Sequence, residues 1–567
     1  MKRLTLALAA AFAVAAFAQT SETVDSAAFA KIRDEGLNRS QIMDTMFWLT
    51  DRYGPRLMGS PEFEEAGDWA VKQLQSWGVA NVHKERFAFG NGWSLVNFHA
   101  TMTSPRVMPI IGVPKSWTPG ISGIVTADVV RPVIASAADC TKLRGQLKGK
   151  IVLTQPARQV RMLEYGDGTV VRYTDKNAKW LTEAMTMPPP RAGGAGGRGG
   201  GRGGGAAGNA VPADVCAAIG TAAAAGGAAA NPDDPTAPAA GGGGGRGGGL
   251  QNLITQFYKA EGVLALFDRG SDSDMAAGGS DLTWQQQHPD GGTFAVQSGG
   301  RQGDPPGTAL PQVTLAVEHY NRMARLLDHN VPVKVELNIQ TKDRAEVTAT
   351  PNGFNIVGEI PGTDKAGEIV LVGAHFDSWQ GATGATDNAA GSAAMMEVLR
   401  ILKATGLAPR RTVRIGLWGG EEEGLLGSRE YVRAHLGTAQ APLPELAKTS
   451  VYFNLDNGTG PIRGIWMQGN TGVEPIFKAW TAPLKDLGVE ILSPRSVTQT
   501  DHGSFDAVGV PAFQFVQERY EYNSRTHHTN MDFLDRVQPN DMKQVATVAA
   551  MFVWQAANRD ALLPRKQ

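Results

Sequence analysis

The sequence predicts an α/β sheet domain in the C-terminal half of the chain, preceded by a β-rich region. From about residue 335 onward, short apolar runs suited to buried strands alternate with stretches of helical period. Between about 110 and 320, short β-like runs are instead separated by turns, as at 149–153 and 262–267. At 567 residues the chain is too long for one ordinary domain, so two or three are expected.

The clearest elements lie in the C-terminal half. Apolar runs predict strands at 368–372, 411–418, 451–455 and 510–515, and one-sided apolar faces predict helices at 388–402 and 425–435. Helical periodicity also appears near the N-terminus, on both sides of a loop at 54–61 that is punctuated by Gly and Pro.

The N-terminus predicts export. Lys2 and Arg3 precede an apolar run ending in Ala16-Phe17-Ala18, the pattern of a secretory signal peptide at 1–18 cleaved before Gln19. The run is shorter than the roughly 20 residues that a membrane span needs. We therefore expect a periplasmic or secreted protein with no stable membrane insertion. A formal net charge of −1 gives no general field for attracting nucleic acid.

Residues 188–250 are dominated by Gly, Ala and Pro. Such a composition buries too little apolar surface to offset the entropy of ordering, so it predicts a flexible, exposed loop. Its Arg-Gly-Gly clusters are too few, and too poor in aromatic residues, for an RNA-binding segment. The two cysteines, Cys140 and Cys216, either pair in a disulfide or remain buried thiols.

Acidic and histidine side chains follow the ends of successive predicted strands. Singly, each would ordinarily be a surface charge. Because ligands of open α/β sheets gather beyond the carboxyl ends of the strands, we expect these side chains to meet there. They are His375, Asp377, Asp387, Glu421, Glu422, Glu423, Asp456 and His528.

Imidazole nitrogens and carboxylate oxygens are ligands that zinc accepts. One histidine and carboxylates at each of two metals, with one carboxylate shared, use His375, Asp387, Glu422, Asp456 and His528. Two metals roughly 3.5–4 Å apart can share a hydroxide nucleophile and polarise a scissile carbonyl.

A further carboxylate must take a proton from the attacking water and pass it to the leaving amine. The adjacent Glu421 and Glu422 can divide the roles of base and ligand. Asp377, two residues after His375, suits a carboxylate that orients the imidazole.

Four motifs resemble the signatures of the M28 metallopeptidase family, in family order. They are Gly-Ala-His-Phe-Asp-Ser-Trp at 373–379, Ala-Thr-Asp-Asn at 385–388, Leu-Trp-Gly-Gly-Glu-Glu-Glu-Gly-Leu-Leu-Gly-Ser at 417–428 and His-His-Thr-Asn-Met-Asp at 527–532. The resemblance covers about 335–560, and more loosely the helices around Met58-Gly59-Ser60. Within the family, the motifs are most similar to the carboxypeptidase Q branch.

The resemblance implies a three-layer α/β/α domain with a mostly parallel mixed sheet, and an inserted β-rich protease-associated domain. It places the N-terminal helices and a strand of the peptidase at 19–110, the insertion at 111–330 and the catalytic domain at 331–567. The insertion either restricts access to the site or mediates a homodimer, and both alternatives stay open.

The resemblance also implies roles for individual residues. Asp387 would bridge two Zn²⁺, with His375 and Asp456 completing one site and Glu422 and His528 completing the other. Glu421 would be the general base. A frame shifted by one residue, with Glu422 as base and Glu423 as ligand, remains open. The Asp387-Asn388 peptide bond is expected to be cis.

Other positions concern the substrate. His527 stands where many family members carry a tyrosine that steadies the tetrahedral intermediate, and it is expected to contact substrate there. His502 is expected to contact substrate. Arg525 or Arg519 would bind a free carboxylate terminus bidentately, unless each serves in a structural salt bridge.

The function implied is an exported, zinc-dependent exopeptidase that cleaves small peptides near a free terminus. Aminopeptidase and carboxypeptidase or dipeptidase activities share the metals and differ in the pocket, which loops supply. A glutaminyl cyclase usually carries one zinc, and a non-catalytic binding ectodomain lacks ligands. The five intact ligands argue against both.

Overall fold

The computed structural model describes residues 22–157, 212–226, 247–270, 292–296, 298–305, 307–344, 352–518 and 520–566. The predicted signal peptide at 1–18 lies outside these residues. Among the helices in these ranges, none combines the length and the apolar character needed to cross a bilayer.

The described residues form two eight-stranded sheets. The strands are β1 Ala80–Phe87, β2 Gly92–Ser104, β3 Met108–Pro109, β4 Gly112–Pro114, β5 Val125–Val130, β6 Ile151–Leu153, β7 Ala265–Asp268, β8 Gln312–Leu315, β9 Val333–Arg344, β10 Gly353–Ile360, β11 Lys365–His375, β12 Arg411–Trp418, β13 Thr449–Asn454, β14 Ile462–Trp466, β15 Ile491–Ser493 and β16 Ala512–Gln517.

Helices cover both sheets. The α-helices are α1 Ser26–Asn38, α2 Ile42–Phe47, α3 Pro61–Ser76, α4 Ala137–Leu143, α5 Val215–Gly226, α6 Gly247–Ala260, α7 Val317–Asp328, α8 Ala390–Ala404, α9 Leu426–Tyr431, α10 Pro444–Lys448, α11 Glu474–Thr481, α12 His502–Asp506 and α13 Pro539–Asn558. Short π- or 3₁₀-type turns occur at Trp48–Arg52, Ala385–Ala389, Val432–Leu436, Thr471–Val473, Ala482–Leu487, Tyr522–Thr526 and Leu534–Arg536.

The first sheet has the strand order β1-β10-β12-β11-β13-β16-β14-β15. Its central strands β12, β11, β13 and β16 are parallel, and antiparallel pairs flank them. Because side chains alternate along a strand, β11 faces two cores. Val370 and Val372 pack against α8 and α13, whereas Leu371 packs with Tyr431 and Phe505 on the opposite face. This confirms the predicted α/β/α layering and mixed sheet.

The second sheet has the order β3-β2-β9-β5-β6-β7-β8-β4. Helices α4, α5 and α6 cover one face and α7 the other. Long antiparallel pairing of β2 with β9 makes this sheet run from Gly92 to Arg344. The second sheet therefore extends beyond 111–330, the limits expected for the insertion, because β2 and β9 both lie wholly outside them.

The expectation of a flexible loop at 188–250 is wrong for the parts of it that the structure describes. Helix α5 lies within this stretch, and α6 begins in it. Alanine is the strongest helix former, and Cys216 and Ile219 of α5 are buried in a core with Phe257 of α6. Cys216 also forms a disulfide with Cys140, with Cα atoms 5.4 Å apart. The remainder of 188–250 lies outside the described residues.

Removing the disulfide should destabilise the second sheet region. The double variant C140S/C216S is expected to lose about 2–4 kcal/mol of unfolding free energy, because the bridge constrains the unfolded chain across 76 residues. Denaturant unfolding without reductant measures this loss. Wild-type protein treated with reductant should match the variant. Unchanged stability in both samples would contradict the pairing.

Candidate metal centre

The predicted metal ligands meet at the carboxyl edge of the parallel strands. His375 is the last residue of β11, and Asp456 lies two residues beyond β13. Glu422 follows β12, and Asp387 lies in the turn before α8. His528 lies on the loop between β16 and α13. The sheet thus brings together side chains that are far apart in the sequence.

The carboxylate of Asp387 lies between two imidazoles. Its Oδ1 is 3.1 Å from Nε2 of His375, and its Oδ2 is 3.2 Å from Nε2 of His528. Oδ1 of Asp456 lies 3.4 Å from the same His375 nitrogen, and Oε2 of Glu422 lies 2.8 Å from the His528 nitrogen. The five side chains form two neighbouring donor groups that share Asp387.

This donor set fits divalent metal ions. Imidazole Nε2 atoms and carboxylate oxygens converge, as zinc sites require. Within the described part of the chain, Oδ2 of Asp387 and Oε1 of Glu422 are buried and accept no hydrogen bond. Since buried polar atoms are ordinarily satisfied, these two oxygens indicate a missing partner of positive charge.

His527 is an additional nitrogen donor beside the second group. Its Nε2 lies 3.5 Å from Oδ2 of Asp387, and its ring stacks on His528 with centroids 3.9 Å apart. Ligand atoms of Asp387, His527 and His528 lie within 4.8 Å of one another, as do those of His375, Asp387 and Asp456.

The electrostatics reflect crowding of acids and histidines. Burial alone would lower the pKa of His375, but carboxylates including Asp456 and Glu421 hold it well above the ordinary imidazole value. Burial would raise the pKa of Asp387, yet the surrounding histidines hold it well below its usual range. Burial and nearby carboxylates raise the pKa of Glu421 well above normal, against the opposing influence of His375.

The three consecutive glutamates have different surroundings. Glu422 contacts His528, whereas both buried carboxylate oxygens of Glu423 accept no hydrogen bond from the described residues. Glu421 lies within electrostatic range of His375 and Asp456. The contact with His528 favours Glu422 over Glu423 as the ligand, and Glu421 lies beside the donor groups.

Asp377 contacts His375 through its backbone carbonyl and the glutamate turn through its carboxylate. Its carbonyl oxygen lies 3.1 Å from Nδ1 of His375, whereas its carboxylate is 3.7 Å from that nitrogen. The carboxylate instead accepts the backbone N–H groups of Glu421 and Glu422, both at 3.2 Å. The expected orienting role therefore falls to the carbonyl, and the carboxylate holds the glutamate turn.

Asp532, to which the sequence reasoning gave no role, holds the turn that carries Asp387. Its carboxylate accepts the backbone N–H groups of Thr386 at 2.6 Å and of Asp387 at 3.0 Å. The Asp387-Asn388 peptide bond is cis, as the resemblance implies. Asp532 is the last residue of the fourth motif, and its place there is the sequence signal that could have indicated this role.

Arg56, also missed, is fully buried beneath the site. Within the described ranges its guanidinium donates to four backbone carbonyls, at 2.6 to 3.1 Å: those of Leu49, Phe376, Thr383 and Gly384. Phe376 directly follows His375, and Gly384 lies three residues before Asp387, so one side chain ties both ligand-bearing loops. Burial lowers the pKa of Arg56 to about 10, which leaves it charged at neutral pH.

Two residues expected to contact substrate, His502 and Arg525, have other partners in the structure. His502 is fully buried, with Nε2 3.0 Å from the Val497 carbonyl, so the expected substrate contact is not supported. Arg525 pairs with Glu521 at 3.2 Å, which is the structural alternative named for it. Arg519 lies outside the described residues.

Two histidine–carboxylate groups around a shared aspartate, at the edge of an α/β sheet, define the site of a metal-dependent hydrolase. Residues 355–553 match peptidase family M28. Mouse carboxypeptidase Q is 25% identical over 528 residues, which cover 91% of this chain and 86% of the mouse protein. Human carboxypeptidase Q is 28% identical over 257 residues, which cover 45% of this chain and 52% of the human protein. The region 355–553 therefore belongs to peptidase family M28, and the protein is a metallopeptidase.

Solved structures share the fold. A peptidase M28 precursor from Shewanella amazonensis SB2B has a TM-score of 0.59 at 23% identity, covering 95% of this chain and 98% of that chain. A zinc aminopeptidase from Bacillus subtilis has a TM-score of 0.50 at 16% identity, covering 93% and 97% respectively. At these identities the likeness concerns the fold alone.

Loss of the Arg56 guanidinium should destabilise the protein strongly. R56M leaves four carbonyls without their donor and is expected to lower the free energy of unfolding by at least about 3 kcal/mol. R433A removes an exposed pair with Glu430 and should change it by less than about 1 kcal/mol. Denaturant unfolding compares the two. Equal losses would refute the tie between the two loops.

Proposed function

We propose that this protein is an exported, zinc-dependent exopeptidase that hydrolyses peptide bonds near a free terminus of small peptides. The observation that carries the proposal is the Asp387 carboxylate, with one oxygen facing His375 and the other facing His528. The match to peptidase family M28 supports the choice of reaction, and the imidazole and carboxylate donors suit zinc, the metal named for the Bacillus subtilis aminopeptidase of the same fold.

Two Zn²⁺ would be held by the five side chains at the strand ends. His375, Asp387 and Asp456 would hold one ion, and Asp387, Glu422 and His528 the other. When bound, the ions would polarise the scissile carbonyl and lower the pKa of the attacking water.

Glu421 is the residue placed to move protons. It would take a proton from the attacking water and deliver it to the leaving amine. The carboxylate of Asp377 fixes its backbone by accepting the Glu421 N–H group at 3.2 Å. His527 would offer an N–H group to the substrate oxygen, in the position where many family members carry a tyrosine.

Export is supported by two features. Lys2 and Arg3, the apolar run and Ala16-Phe17-Ala18 have the pattern of a cleaved signal peptide. The Cys140–Cys216 disulfide suits an oxidising compartment outside the cytosol.

Three glutamine substitutions test the division of roles among the glutamates. E421Q should lower kcat by about 10²- to 10⁴-fold while the chain keeps both zinc ions, because only the general base is removed. E422Q should lose zinc. E423Q is the matched control and should keep zinc and most activity. Steady-state kinetics and elemental analysis measure these outcomes. Zinc loss in E423Q with retention in E422Q would establish the frame shifted by one residue.

The terminus recognised is tested with blocked peptides. An exopeptidase should cleave free peptides and fail when the recognised terminus is blocked, because that charge is part of the binding contact. Failure after C-terminal amidation assigns a carboxypeptidase, failure after N-terminal acetylation assigns an aminopeptidase, and failure after either assigns a dipeptidase. Equal cleavage of all three substrates, measured as kcat/KM, would refute exopeptidase activity.

A further inference from the structure

We infer that the second sheet completes the metal centre, because a segment at 292–296 positions His528 through its backbone. This segment comes from the insertion and lies between β7 and β8 in the chain. The inference rests on the proposed metal centre and adds a positioning role for residues outside the family-matched region 355–553.

The contact between the segment and the His528 loop resembles a short antiparallel ladder. The N–H of Val296 donates to the carbonyl of His528 at 2.6 Å, and Ala295 forms an antiparallel bridge with Thr529. On the next residue, the side chain of Asn530 completes the ladder. Its Oδ1 accepts the N–H of Phe294 at 2.9 Å, and its Nδ2 donates to the carbonyl of Gly292 at 2.9 Å.

His528 needs such support because its backbone is left-handed, with φ of 54°. Residues with a side chain seldom adopt this conformation, since Cβ crowds the backbone carbonyl. The bond from Val296 fixes the carbonyl of that same residue. It therefore helps to fix the direction in which the imidazole points, toward Asp387 and Glu422.

The segment is itself anchored in the second sheet. Phe294 and Val296 are buried in a small apolar cluster with Ala316, directly after β8, and with Val113 of β4. Val296 also packs on Gly381, where an added Cβ would lie 2.4 Å from its Cγ2. These contacts fix the segment to the second sheet, and the segment in turn fixes the loop that carries His528.

The two donor groups should depend on this contact unequally. His375 ends a central strand and Asp456 lies two residues beyond another, so the first sheet positions two of the three ligands of that group. His528 lies on a loop that bonds to the segment at 292–296. Loss of the contact should therefore weaken the site of Glu422 and His528 while sparing the site of His375 and Asp456.

Variants of Asn530 and Val296 test this inference in the full-length protein. N530A removes both side-chain bonds to the segment, N530D keeps the one from Phe294, and V296P removes the donor to the His528 carbonyl. We expect N530A and V296P to weaken the binding of one of the two zinc ions by about 10- to 100-fold, the range found for groups that orient ligands. The affinity of N530D for that ion should lie between those of these variants and wild type. Chelator competition monitored by zinc content gives both affinities.

Y320F is the structural control. It removes the two bonds between the Tyr320 hydroxyl and Gln155 and no bond to the segment, and it should change thermal stability without changing either zinc affinity. Should V296P fail to fold, N530A and N530D decide the matter. Both zinc ions bound as tightly in N530A as in wild type, or both weakened equally, would overturn the inference. Wild-type protein that binds no zinc would instead refute the proposed function itself.

Discussion

The position of one buried carboxylate, that of Asp387, governs the structure around it. A buried charge is costly unless it is paired, and each oxygen of Asp387 faces a different imidazole. That pairing works only if His375 on a strand end and His528 on a distant loop are both held in place. The bonds from Asp532, Arg56 and the segment at 292–296 all converge on the loops that carry these three side chains.

Much of the site could be predicted because residues that follow parallel strands lie at the same edge of the sheet, however far apart they are in the sequence. His375, Glu422 and Asp456 each lie at or a few residues beyond the end of an apolar strand, and the parallel strands β11, β12 and β13 end at the same edge. Local apolar patterns were therefore sufficient to gather ligands without knowledge of any loop. His528 was found only through its motif, because no strand end places it.

The features that escaped prediction depend on contacts that leave no local pattern. Arg56 donates to carbonyls, which every residue carries, so its partners cannot be read from the sequence. The limits of the second sheet follow from the pairing of β2 with β9, two strands separated by the whole insertion. Helix α5 appears within Gly- and Ala-rich sequence because a disulfide and a buried core hold it, and composition alone reveals neither.

The two donor groups of the metal centre differ in the same way: strand pairing positions one histidine, and contacts from distant parts of the chain position the other. His375 belongs to the hydrogen-bonded ladder of the first sheet, so its position follows from strand pairing that the local sequence specifies. Glu422 and His528 lie on turns whose backbone groups are held from outside, the first by Asp377 and the second by Val296. A left-handed residue such as His528 keeps its conformation only where its surroundings fix it. The second sheet region therefore contacts the loop of His528, a ligand candidate that strand pairing in the first sheet does not position.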